Sequence, residues 1–225
     1  MMTRLRKELH NNSDQEYREF NRGLLPGVEN ILGVRIPVLR NMAAEIMERD
    51  WRSFLDEDVV FHEEYILKAI VIANAEMSYK ERLERTVDFL PHVDNWAICD
   101  LLCNDWRLAS EGVGSLWNFC EDMMSSNDEF KMRTGAVMML SKFLDDRHID
   151  GVLKLLSESH NDGYYYKMGA AWALSYCYID FQEVTEEVLS SGKLDREVQN
   201  LTVRKVCESR RADGELKKQV RTFKR

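Results

Sequence analysis

One helical segment, usually led by an aromatic residue, recurs along this chain at an almost constant interval. Tyr65-Ile-Leu-Lys68, Trp96-Ala-Ile-Cys99, Phe130-Lys-Met-Arg133 and Tyr164-Tyr-Tyr-Lys167 share one register, which Val198-Gln-Asn-Leu201 continues. The intervals are 31, 34, 34 and 34 residues. That length holds one helix–turn–helix unit, which cannot bury its apolar face alone, whereas stacked copies can. Apolar residues fall at helical spacing in eleven segments. The first is IPVLRNMAAEIMERD, with Pro37 at its start and Val38, Met42, Ile46 and Met47 on one face. The others cover 63–75, 79–90, 95–106, 114–124, 127–144, 149–158, 162–179, 181–190, 194–209 and 213–223. Breaks such as Asn161-Asp162-Gly163 and Ser191-Gly192 supply caps between them. No sustained period-2 alternation argues for a strand. The expected fold is all-α: a single right-handed α-solenoid (superhelix) of about six helix pairs over residues 1–225.

Charge narrows the function classes. The 225 residues carry a net charge of −8, yet residues 193–225 hold eleven Lys/Arg against five Asp/Glu. The basic end is the place for a polyanion, while a pI near 5.3 is low for a nucleic-acid-binding domain. The N-terminal MMTRLRKELHNN has no apolar signal core, and no run reaches the roughly 18–20 residues that cross a bilayer. Five cysteines without a regular framework point to buried thiols in a reducing, cytoplasmic setting. Cys99 and Cys103 have ligand spacing but no completing pair, and His62-Glu63-Glu64 lacks the second histidine of a metalloprotease. Gly112-Val113-Gly114 does not continue into a phosphate-binding loop. No metal, cofactor or membrane partner is expected, and nothing suggests an obligate dimer, so a monomer is the expected state.

The repeat register assigns faces. With the leading residue as position zero, offsets 0, 3, 4 and 8 fall within about 140° of arc at 3.6 residues per turn. Trp96 and Asp100, Arg133, Lys167 and Trp172 occupy these offsets on successive equivalent helices. Offsets 5 and 6 carry Ile70-Val71, Leu101-Leu102, Gly135-Ala136 and Gly169-Ala170, the expected packed side. A cation recurs at offset 3, as Lys68, Arg133 and Lys167, and Asp100 is the carboxylate among them. Each large aromatic is individually expected in the core, as are Trp51, Trp106 and Trp117. Asp100 also has a structural alternative, pairing with Lys131 or Arg133.

These residues carry a resemblance. The segments LGVRIPVLR (32–40) and VDNWAICD (93–100), Arg133 within KMRTGA, and Trp172 within KMGAAWALS stand in the order and near the spacing of one family. From about Tyr17 to the C-terminus the chain resembles the HEAT-like-repeat DNA glycosylases of the AlkD type, the DNA alkylation repair enzymes. The resemblance implies a DNA repair N-glycosylase, a hydrolase that excises cationic N3- or N7-alkylated purines from double-stranded DNA without metal and without drawing the base into a pocket. It implies that Asp100 stabilises the oxocarbenium-like sugar and places the attacking water. Trp96 and Trp172 would then pack on the deoxyribose and backbone, and Arg133 would hold phosphates. Lys167 is expected on the DNA from its place on the same face. A carboxylate about 4 Å from the developing charge contributes on the order of 4 kcal/mol at an effective dielectric of 20, or roughly three powers of ten in rate. The chain departs from the family at Ala97, where an acidic residue is common, and its N-terminal groove aromatic is either Tyr17 or Phe20. Two other readings stand beside this one: a DNA-binding member that excises nothing, and a HEAT-type protein-interaction scaffold whose groove takes a peptide or an acidic partner.

Overall fold

The computed structural model describes residues 2–225 and is helical throughout, with no strand among the described residues. The chain divides into two compact units, Met1–Ala109 and Ser110–Arg225. The first holds α1 (Met2–Asn11), α2 (Gln15–Leu24), α3 (Ile36–Met47), α4 (Trp51–Asp56), α5 (His62–Asn74), α6 (Tyr79–Phe89) and α7 (Trp96–Asp105). The second holds α8 (Val113–Met124), α9 (Glu129–Lys142), α10 (Ile149–Glu158), α11 (Tyr164–Asp180), α12 (Gln182–Ser190), α13 (Arg196–Glu208) and α14 (Gly214–Val220). Side chains fix many of the starts: Asp14, Asp50, Ser78, Asn95, Asp128, Asp195 and Asp213 each accept from backbone N–H groups two or three residues on. Such a cap stabilises a helix by about 1 kcal/mol.

Within each unit the repeat interval becomes a stack. In the first, α5 packs against both α3 and α7; in the second, α11 packs against both α9 and α13. This is the local packing of an α-solenoid, with one helix of each pair forming the spine. The spine helices are buried almost all round, as residues 66–73 of α5 and 132–140 of α9 are. Gly169 lets α11 approach α9, since a Cβ there would lie 3.1 Å from Arg133 Cγ. The offset 5 and 6 residues are indeed packed, with Leu101 the half-buried exception. Trp51 and Trp106 are buried, and Trp117 packs edge-on against Phe143 at 5.2 Å.

Two expectations change. Three helices, α1, α2 and α4, are additional to the eleven segments. The offset-3 cations also do not line an open face. Lys68 is 8% exposed and its ammonium donates to the Leu55 and Glu57 carbonyls, closing the end of α4. Arg133 is 4% exposed. Long aliphatic stems pack in the spine while their heads reach carbonyl acceptors on neighbouring segments. Burial lowers the Lys68 pKa, and nearby acidic groups such as Asp56 and Glu64 oppose that.

The LGVRIPVLR segment is held at both ends. The buried Glu63 carboxylate accepts from the N–H groups of Leu32, Gly33 and Val34 at 2.7–3.3 Å. Gly33 sits at φ +84°, and a Cβ there would collide with the Asp14 carbonyl and the Arg18 backbone. Asp14 N–H bonds the Gly33 carbonyl, which sets where α2 begins. At the other end Arg40 forms an ion pair with Asp105, the last residue of α7.

Candidate functional site

Asn95 sets the start of α7, its side-chain oxygen accepting from Ala97 and Ile98 N–H. From there the helix turns Ile98, Cys99, Leu102 and Cys103 fully inward. Trp96 and Asp100, one turn apart, lie along the edge of that inward face, and both are half-buried. The indole Nε1 of Trp96 donates to the Leu24 carbonyl at 3.0 Å. Tryptophan has one donor, so this bond commits it to the protein and leaves the ring faces as what Trp96 offers a ligand. A ring face carries negative charge density and attracts cations.

The Leu24 carbonyl belongs to α2, which buries none of its residues. Phe20 is 62% exposed and Leu24 43%. Tyr17 stacks on Phe20 with centroids 6.3 Å apart, and Arg35 lies over Tyr17 at 4.7 Å. Asp14 holds Arg35 at 2.8 Å; the Tyr17 N–H, and then Arg35, keep the Asp14 carboxyl below its ordinary range. The first unit thus joins an exposed aromatic stripe to the helix that carries Trp96 and Asp100. Periodicity offered a signal for it, since Tyr17, Phe20 and Leu24 follow i, i+3, i+7 spacing, but no capping residue beyond Asp14 reinforced it.

In the second unit Arg133 reaches from α9 to the Tyr165 carbonyl on α11, 2.7 Å away. Its guanidinium thus bridges two spine helices. Lys167 pairs with Glu197 at 2.9 Å and lies 3.6 Å from Asp162; Glu197 foremost raises its pKa, so it stays charged. Trp172 is half-buried and meets Tyr176 edge-on at 6.2 Å. Arg211 covers Tyr176 at 4.7 Å and is itself held by Asp180 at 2.7 Å. Trp172 thereby ends a ladder of ring, cation and carboxylate along α11.

A profile of the family described as DNA alkylation repair enzyme matches residues 5–206. The chain belongs to that family. No curated protein matches it at a significant level. The match runs from within α1 to within α13, so it takes in Trp96, Asp100, Arg133, Lys167 and Trp172 together with α2. Membership in this DNA alkylation repair family gives the protein a DNA repair role with DNA as partner. No helix is long and apolar enough to cross a membrane, and no group of three or more His, Cys, Asp or Glu among the described residues is placed to hold a metal ion. The α7 pair sets a half-buried carboxylate one helical turn from a half-buried indole.

Proposed function

We propose that this protein is a DNA glycosylase that hydrolyses the N-glycosyl bond of cationic N3- or N7-alkylated purines in duplex DNA, acting as a monomer without metal. The observation that carries the reading is the α7 arrangement, a half-exposed carboxylate one turn from an indole whose N–H is already satisfied. An alkylated purine cation leaves as a neutral base, taking the C1′–N electrons, so no strong general acid is required. The barrier left is positive charge on the sugar, which Asp100 stabilises and water then quenches at C1′, losing its proton to solvent. Preorganised electrostatics of this kind usually supplies the largest single share of rate enhancement. Trp96 packs against the deoxyribose, and the exposed Phe20, rather than the arginine-covered Tyr17, is the N-terminal aromatic beside it. Trp172 and Lys167 contact the backbone. Arg133 acts as a positioning residue, fixing α9 against α11.

A second reading, a DNA-binding member without excision, is favoured by Ala97 and by the engagement of Arg133 with Tyr165. One experiment separates the two. Methylated duplex DNA is incubated with the protein in EDTA, and released 7-methylguanine and 3-methyladenine are measured for wild type and Asp100→Asn. Excision is expected, and the substitution reduces it by roughly two to three powers of ten while duplex binding stays within about twofold. No release, with salt-dependent duplex binding intact, establishes the silent binder. Duplex binding that is weak and indifferent to salt refutes both.

A further inference from the structure

The C-terminal end of the second unit carries a groove that the glycosylase reading does not use. It holds about 810 Å³ between α13 and the 3-10 turn Arg221–Phe223. Its floor includes Leu201, Val203 and Cys207, and its edges carry Arg196, Arg221 and Lys224. The volume falls in the range of well-formed ligand sites, roughly 300–1,000 Å³.

The charge balance of this groove is positive, although the whole chain carries −8. Among the described residues, no carboxylate pairs with Arg196, Arg221 or Lys224, and their side chains donate no hydrogen bond. The two acidic residues that also line it are occupied. Asp195 caps α13 through the Glu197 and Val198 N–H groups, and Glu197 is paired with Lys167. Arg204 is balanced by Glu208. What remains is a row of unpaired cations bordering an apolar trough. From Arg196 to Cys207 the trough runs roughly 16 Å, at 1.5 Å per helical residue.

We infer that this groove docks an acidic amphipathic helix of a partner protein, its apolar face on Leu201, Val203 and Cys207 and its carboxylates against Arg196, Arg221 and Lys224. A phosphodiester backbone would satisfy the cations but leave the apolar floor without a counterpart. An amphipathic helix matches both features, in the manner of helix-in-groove recognition. The inference is independent of the glycosylase reading, because it involves neither Asp100 nor either groove tryptophan.

Cys207 supplies the readout, since the other four cysteines are buried. The probe is an acetylated, amidated peptide of repeated Glu-Leu-Leu-Glu, about 16 residues long, enough at 1.5 Å per residue to span the trough. Alkylation of Cys207 by N-ethylmaleimide is followed by mass spectrometry, and peptide affinity by fluorescence anisotropy. The peptide is expected to slow alkylation at least about fivefold at saturation, because bound peptide covers the thiol. The same peptide with Lys in place of Glu binds at least about tenfold more weakly, as does the acidic peptide to Arg221→Glu/Lys224→Glu, since each change swaps attraction for repulsion. These exposed positions leave the fold intact, checked by far-ultraviolet circular dichroism and the melting temperature in the same preparation. The inference is overturned if the acidic peptide leaves the alkylation rate unchanged, or if the double variant binds it equally well. Protection of Cys207 by duplex DNA alone would assign the groove to nucleic acid. Protection that rises with protein concentration, alongside a dimer in sedimentation, would assign it to a second copy.

Discussion

Glu63→Gln tests how the candidate site is held. The native carboxylate is 1% exposed and receives four contacts from three successive backbone donors, at 3.1 and 3.1 Å from Leu32, 2.7 Å from Gly33 and 3.3 Å from Val34. Glutamine keeps the shape but turns one acceptor into an amide donor facing the Leu32 N–H, and it makes the remaining bonds neutral. A hydrogen bond to a charged group contributes about 1.5–3 kcal/mol against about 1 for a neutral one, and a stranded buried donor costs about 1–3. Removing the buried charge recovers part of this by easing desolvation. The net expectation is a loss of about 3 kcal/mol, which for a chain of this size lowers the melting temperature by roughly 6–12 °C. Far-ultraviolet circular dichroism measures the shift, and hydrogen exchange at Leu32, Gly33 and Val34 shows whether those amides are released. Because Gly33 fixes the start of α2, excision should fall as well. A melting temperature unchanged within about 1 °C, with the three amides still protected, would refute the assignment of Glu63 as the anchor of this segment.

Other outcomes follow from the same geometry. Trp96→Phe removes the bond to the Leu24 carbonyl, so amide exchange across α2 should quicken and stability fall by about 1 kcal/mol, the usual net value of one hydrogen bond; unchanged exchange would mean that the indole does not hold α2. Gly169→Ala places a methyl 3.1 Å from Arg133 Cγ, where overpacking of about 1–3 kcal/mol outweighs a helix-propensity gain of about 1; a stabilised variant would contradict the tight α9–α11 seam. Asp14 has a folded-state pKa held below its ordinary 3.8, so its contribution is present above that value and is lost as pH falls through the folded one. Asp14→Asn should therefore lower stability at neutral pH and flatten the profile below about pH 4, where variant and wild type converge; a deficit that persists undiminished in acid would refute this.

The spine of the fold was legible because it repeats. Helices α5, α7, α9 and α11 show their packed face through small or aliphatic residues at offsets 5 and 6, and the interval alone orders the stack. The face bearing Trp96 and Asp100 was legible for the same reason, since Cys99 and Cys103 mark the inward side of α7. Helix α4 was not legible, being six residues long and closed by a distant lysine rather than by a local signal. Helix α2 escaped although Tyr17, Phe20 and Leu24 have helical spacing, because the stripe is short and no core lies beneath it. The partners of the cations at offset 3 were not legible, because register gives the direction of a Cβ, not the destination of a long side chain. Lys68 leads to α4 and Arg133 to Tyr165, carbonyls that no pattern in the sequence advertises.

The attachment of Trp96 to a main-chain oxygen has one more consequence. A peptide carbonyl survives any exchange of the side chain at Leu24, so the anchor is indifferent to the identity of the residues displayed along α2. Phe20 and its neighbours can be redrawn by directed mutagenesis, one ring or charge at a time, while the indole keeps its place. That separation makes α2 the natural cassette for altering the surface displayed beside Trp96.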